Sequence, residues 1–179
     1  MGSFQDRLDA LVGQPMGPGN EAPDPVNLPM IRHWVAAFDD HNPAYLDASA
    51  AAATRWGDVV APPMMLQTWT MATPVIDGIR ERGGAAAPST GASAFTVLEE
   101  AGFTGTLAVD SEFEIERYLR LGERVSSSSA VESISGEKQT RLGPGHFLTW
   151  VTTYRDEQGD EVGRQRFRIL KFQPGGGAA

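Results

Sequence analysis

The apolar positions of this chain change period near residue 100. Before that point they recur every three or four residues, the spacing of one helix face. After it they alternate, the spacing of a half-buried strand. Residues 4–12 bring Phe4, Leu8 and Leu11 together and predict a short helix. Ile31, Trp34, Val35 and Phe38 stand at i, i+3, i+4 and i+7 and predict an amphipathic helix, which the residue before Pro43 cannot continue. Residues 47–56 predict another, with Asp47 or Ser49 as its N-cap. Residues 64–82 are nearly all apolar or small, which predicts a long helix buried on most sides. Pro62 and Pro63 suit its first turn, where a missing N–H costs nothing, and Pro74 predicts a kink or break.

Two stretches carry no period. Residues 13–29 hold Gly13, Pro15, Gly17, Pro18, Gly19, Pro23, Pro25 and Pro29 and predict an irregular segment hugging the surface. Residues 83–94 are low in complexity and predict a mobile loop. Strands are predicted over 108–117, where Phe113 and Ile115 share a face, and over 124–134, which a turn at Gly136 closes. Residues 147–154 and 163–172 flank a Gly-containing loop and predict the clearest hairpin in the chain. The layout is therefore α+β: a long, mostly buried helix wrapped by an antiparallel sheet. Residues 1–29 form an N-terminal helix and irregular segment, 30–172 the main domain, and 173–179 a flexible Gly-rich tail or linker.

Composition narrows the chemistry. Lys+Arg number 15 and Asp+Glu 23, a net charge of −8 that argues against a nucleic-acid partner. With no cysteine and three histidines (His33, His41 and His146), thiolate chemistry is excluded and no metal site is expected. The uncharged run 59–76 has prolines and hydroxyl groups unlike a membrane span, and the charged N-terminus has no apolar secretory segment. A cytoplasmic location is the expectation.

Candidate chemistry gathers in residues 38–65. Asp40, Asn42 and Pro43 form a D-x-N-P loop after a helix, and a Pro-Pro-Met helix start follows. Backbone N–H groups at a helix start hold a carbonyl oxygen that gains charge, and a nearby carboxylate serves as acid or base. The plainer reading is that Asp40 and Asn42 make Asx turns and cap local structure.

The segment resembles the signature of the MaoC-like hot-dog-fold enoyl-thioester hydratases and dehydratases. That signature runs Ser-Gly-Asp-x-Asn-Pro-(aliphatic)-His, then an Ala-rich helix, then an Ala-Pro or Pro-Gly-Met helix start. This chain reads Phe38-Asp39-Asp40-His41-Asn42-Pro43-Ala44-Tyr45, then alanines at 50–53, then Ala61-Pro62-Pro63-Met64. Downstream, Thr140-Arg141-Leu142-Gly143-Pro144-Gly145 precedes a strand and a polar hairpin, as in the N-terminal dehydratase half of that superfamily. The matching pieces span roughly residues 30–172.

The departures carry the functional expectation. The family's catalytic Asp falls on Asp40, but its catalytic His falls on Tyr45, and its Gly is Asp39. A phenol titrates near 10 and an imidazole near 6.5, so Tyr45 as a base at neutrality costs roughly 4–5 kcal/mol. His41 occupies the variable loop position, where its side chain is expected to point away from Asp40. His33 and His146 read as structural or solvent-facing. The resemblance thus implies a chain with no catalytic residue of its own, Asp40, Asn42 and Tyr45 being degenerate motif positions.

Such domains, the resemblance implies, pair with a hot-dog subunit carrying the Asp/His pair, as a heterodimer or heterotetramer. The degenerate half makes room for bulky acyl-coenzyme A thioesters, steroid side-chain or fatty. No cofactor is implied beyond the coenzyme A of the substrate. A downstream domain docking a thiolase-like aldolase is a further implied partner. Pro63, Met64, Met65 and Trp69, with Met71 beyond them, are the candidate acyl-binding wall, against the plainer reading of core packing. Lys138 and Arg141 are candidates for coenzyme A phosphates, against a solvated basic turn. The serines at 126–129 read as a polar strand face, with no base beside them. Two other readings stay open: a self-sufficient dehydratase using Asp40 with Tyr45 or a water, and a thioester-binding scaffold.

Overall fold

The computed structural model describes residues 3–71, 76–78, 80 and 93–174. The predicted break at Pro74, most of the 83–94 loop and the end of the tail lie outside them.

Among the described residues six strands form one antiparallel sheet: β1 (Asn20–Glu21), β2 (Gly105–Ile115), β3 (Ser126–Ile134), β4 (Lys138–Thr140), β5 (Gly143–Arg155) and β6 (Glu161–Phe172). Their order is β1-β3-β5-β6-β2, with β4 pairing β5 as a short flap. The predicted hairpin is β5–β6, in register from Gly145↔Phe172 to Tyr154↔Gly163. Alternation then sorts the side chains. His146, Leu148, Trp150, Thr152 and Tyr154 share the inner face with Gln165, Phe167, Ile169 and Lys171. Trp150 meets Phe167 at 5.0 Å between ring centroids. The outer face carries an ion ladder. Arg166 sits 2.7 Å from Glu132 of β3 and 3.8 Å from Glu112 of β2, and Arg168 sits 3.4 Å from Asp110.

The helices lie at the two ends of the inner face. At one end α1 (Phe4–Asp9) and α5 (Ala94–Glu100) bury Leu8, Val97 and Leu98 with Phe103, Val131, Leu148 and Ile169. A reciprocal capping box between Ser3 and Asp6 closes the start of α1. At the other end α2 (Leu28–Phe38) and α3 (Ala48–Ala52) join α4 (Leu66–Trp69) over Ile31, Val35, Tyr45, Met65, Val125 and Val162. A polar seam separates the two cores. The Tyr154 hydroxyl donates to Gln165 Oε1 at 3.1 Å, and Gln165 Nε2 donates to Ser111 at 2.9 Å and Gln67 at 3.2 Å.

The helix predicted over 64–82 is corrected. A single 3-10 turn (Pro63–Met65) and one α-turn make up its described part, and Thr70 leaves helical geometry at φ −106°, ψ 9°. Gly78 turns at φ 70°. A proline at 74 cannot donate to the carbonyl of residue 70, and hydroxyl side chains at 68 and 70 are poor helix formers. Gly163 sets how closely this turn rests on the sheet. A Cβ there would stand 2.6 Å from the Glu114 carbonyl and 2.9 Å from Leu66 Cδ2.

The sequence pattern also overlooked α5, short and preceded by Gly/Ala/Ser-rich residues, and β4. The N-terminal segment lies on the same sheet: β1 adds to β3, and Leu8, Ala22 and Val26 are buried.

Candidate functional site

Three loops meet at the α2–α4 end. The first follows α2, which Asn27 caps and which ends at Asp39 in the left-handed region, φ 52° and ψ 38°. This is the position where the family signature has glycine, and aspartate tolerates the conformation better than most side chains. The turn points the Asp39 side chain into solvent, where it meets His41 at 3.0 Å. His41 therefore turns outward, as its loop position predicts. His33 is exposed on α2, and His146 lies at the far end of the sheet.

Asp40 is half-buried, and its Oδ1 accepts the Asn42 N–H at 3.0 Å. Asn42 Oδ1 accepts the Ala44 N–H at 3.1 Å and caps the 3-10 turn Pro43–Tyr45. The Asx-turn reading of this loop is thus what the geometry shows. Tyr45 is buried, at 7% exposure. Burial pushes its phenol above the ordinary value, with Tyr118 and the Asp40 carboxylate adding to the push and the Asn42 side chain opposing it. The phenol is held neutral, the opposite of what a general base requires. Among the described residues no imidazole reaches the Asp40 carboxylate.

The second loop, residues 53–63, runs from α3 past Val60, which bridges to Arg120, to Ala61, whose N–H donates to the Leu119 carbonyl at 2.8 Å. The third, 116–123, is held by Arg117. Its Nη1 lies 3.0 Å from both Glu123 oxygens and its Nη2 2.7 Å from Asp156 in the β5–β6 turn. The Arg117 hydrogen bond, aided by N–H groups of Asp160 and Gln158, holds the Asp156 carboxyl below its ordinary range.

Between these loops opens a cleft of about 570 Å³. Trp56 and Tyr118 stack on each other in its wall at 4.7 Å, with Arg55 5.0 Å from the centre of the Trp56 ring. Arg120 donates to the Trp56 carbonyl at 3.1 Å. A small cavity lined by Pro62, Pro63, Leu66 and Tyr118 adjoins it and shares Ile115, Arg117 and Tyr118 with it. The sequence reading missed this cleft. Its only signal is two aromatic–arginine pairings, Arg55-Trp56 and Tyr118-Arg120, far apart in the chain.

The predicted acyl wall divides. Met65 and Trp69 are core, at 0% and 4% exposure, whereas Met64 and Met71 face outward at 53% and 61%. Pro63 lines the small cavity. Lys138 and Arg141 are not brought to this site. They flank the β4–β5 turn opposite Gly145, about 30 Å along β5 from Tyr154 at ~3.3 Å per residue. Ser129 is tied to Thr152 at 2.8 Å, a structural strand-face pair. Among the described residues no group of three His, Asp or Glu side chains is arranged for a metal, and no helix is long and apolar enough to cross a membrane.

The sheet and its inner helices define a hot-dog fold, α+β in class. The chain belongs to the family described as FAS1-like, dehydratase domain region, whose model matches residues 10–165. It is 46% identical over 96% of its length to a probable enoyl-CoA hydratase alpha subunit of Thermomonospora curvata. It is 40% identical over 87% to the 3-oxo-4,17-pregnadiene-20-carboxyl-CoA hydratase alpha subunit of Mycobacterium tuberculosis. It covers 52% and 47% of these proteins, so it spans about half the length of the curated relatives it matches. Among solved structures, the ChsH1-ChsH2 complex of M. tuberculosis contains a chain that it matches with a TM-score of 0.80 at 35% identity, covering 97% of this chain and 93% of that one.

Proposed function

We propose that this chain is the non-catalytic, substrate-accommodating half of a heteromeric enoyl-CoA hydratase. A hot-dog partner carrying the Asp/His pair supplies the acid and base, and water adds across the double bond of a bulky acyl-CoA. A steroid side-chain thioester is the substrate we favour. The observation that carries the reading is Tyr45: a buried phenol, neutral at physiological pH, stands where a hydratase keeps its imidazole. Asp40 is meanwhile spent on the turn that follows it. The alpha-subunit relatives and the match to a two-subunit complex support a heteromer, and the pregnadiene-carboxyl-CoA relative supports a steroid-like acyl group. The helix that stops at Trp69 supports a widened acyl channel.

The test is turnover. The chain alone is expected to hydrate no enoyl-CoA. Joined to a catalytic hot-dog subunit it should support hydration of a steroid side-chain enoyl-CoA, and Tyr45→Phe should change that rate less than about twofold. Turnover by the chain alone that Asp40→Asn abolishes would establish the self-sufficient dehydratase instead. A partner equally active and selective without this chain removes the accommodating role.

A further inference from the structure

We infer that the cleft beside the stacked Trp56–Tyr118 pair seats the adenine-nucleotide end of coenzyme A, gripped by packing against that pair and by the guanidinium groups of Arg55 and Arg120. This rests on the thioester reading above and places the substrate's handle on the half of the enzyme that does no chemistry.

Charge accounting singles the cleft out. Arg164, Arg166 and Arg168 each face a carboxylate on the outer sheet, and Arg117 is spent on Glu123 and Asp156. At the opposite end Lys171 is spent on Glu99. Of the exposed cations that pair with no carboxylate among the described residues, which include Arg32, Lys138 and Arg141, Arg55 and Arg120 are two that meet at the rim of one cleft, Arg120 also donating to the Trp56 carbonyl. Guanidinium groups in that state suit phosphate oxygens, which accept two parallel N–H bonds.

The aromatic pair supplies the second half of the chemistry. Trp56 and Tyr118 lie 19° from parallel and are half-buried, so a platform edge stays open to a third ring. A purine stacks on such a surface. The volume, about 570 Å³, lies within the range of small-molecule sites. Across Ile115, Arg117 and Tyr118 the cleft borders the small cavity of about 10 Å³ against Pro62, Pro63 and Leu66, so a pantetheine arm leaving the cleft toward the α4 turn would have to open that cavity. Glu123 on the wall is neutralised by Arg117, whereas Glu116 is exposed and opposes an anion.

The probe is coenzyme A itself, titrated calorimetrically into the full chain, alone and joined to a catalytic partner. Saturable binding is expected, weakening as salt rises. The double substitution Arg55→Ala/Arg120→Ala should weaken it at least tenfold while lowering the unfolding temperature only slightly, through the lost Arg120 bond to the Trp56 carbonyl. Trp56→Phe should weaken it less, and Glu116→Gln should tighten it about twofold. Adenosine 3′,5′-bisphosphate should compete and ATP should not; equal competition by ATP assigns the cleft to free nucleotides and overturns the coenzyme A assignment. Binding untouched by the arginine and Trp56 substitutions, or absent at millimolar coenzyme A, also overturns it. Hydration by the complex separates the two readings. If it proceeds with an unchanged KM in the arginine variant, the cleft assignment fails and the hydratase role stands. If the chain binds coenzyme A through the arginines but no complex hydrates a thioester, the reverse holds.

Discussion

The two ends of the inner sheet face carry similar inventories and use them oppositely. At the α1–α5 end a buried ammonium and a buried imidazole are bonded into the fold, although His146 Nε2 meets no hydrogen-bond partner among the described residues. Lys171 is 1% exposed, with its Nζ 2.8 Å from Glu99 and 3.0 Å from Thr106. His146 is 2% exposed between the Phe4 and Phe103 rings, and its Nδ1 donates to the Ser135 carbonyl at 2.8 Å. At the α2–α4 end, aromatic and guanidinium groups stay half in water, and the carboxylate of the signature loop is occupied by its own turn. The lesson is that perturbed or buried titratable groups do not by themselves mark the working end. The closed end is bound up in holding the fold, and the open end keeps two guanidinium groups, of Arg55 and Arg120, that no carboxylate among the described residues neutralises.

The closed end offers the largest expected effect. Glu99→Gln leaves a buried ammonium without its counter-charge and should cost roughly 2 kcal/mol in urea unfolding, whereas Lys171→Met should cost less than about 1 kcal/mol because Glu99 can turn to water. The reverse order would show that the ammonium, not its burial, holds that end together.

At the open end the Arg117–Asp156 clasp should matter less and depend on pH. Asp156 has a depressed carboxyl pKa in the fold. Its contribution is therefore complete above the ordinary carboxylate range and disappears as pH falls through the folded value. Asp156→Asn should lower stability by about 1 kcal/mol at pH 7 and by progressively less in acid, since Arg117 is 37% exposed and water screens it. Acid and neutral unfolding curves check both statements. The smallest effect belongs to the signature loop. Asp39→Gly should stabilise by about 0.5 kcal/mol, relief of a left-handed side chain partly offset by a freer unfolded chain. A loss of stability would show that the solvent-exposed contact to His41 is worth more than exposed pairs usually are.

The β half was legible because strand alternation is local: RQRFRIL in β6 puts arginines on one face and apolar groups on the other without reference to anything distant. The capping residues were legible for the same reason; Asp47 caps α3 through the N–H groups of Ser49 and Ala50. The D-x-N-P loop and its Asx turns were legible from the residues themselves, whereas the matching of Asp40 and Tyr45 to catalytic positions came only with the resemblance. What stayed hidden depends on tertiary packing. α5 is seven residues whose stability comes from seating Val97 and Leu98 in the core it shares with Leu148 and Ile169. The helix over 64–82 was expected to run to a kink or break at Pro74, and its earlier end after Trp69 stayed hidden because apolar content says nothing of where backbone bonding ends. The cleft joins residues 55–56 to 118–120 through the Val60–Arg120 bridge, a contact no spacing reveals.

Gly163 gives the molecule a setting that a single atom controls. Because the α4 turn rests on a position with no side chain, the gap between sheet and turn is held at its minimum. Any residue larger than glycine would meet the Glu114 carbonyl of β2 first and Leu66 Cδ2 next, so both the β2–β6 pairing and the turn beside Pro63 would have to give. The packing around the small cavity beside Pro63 is thus set from a neighbouring strand, and swapping one hydrogen for a methyl would change it.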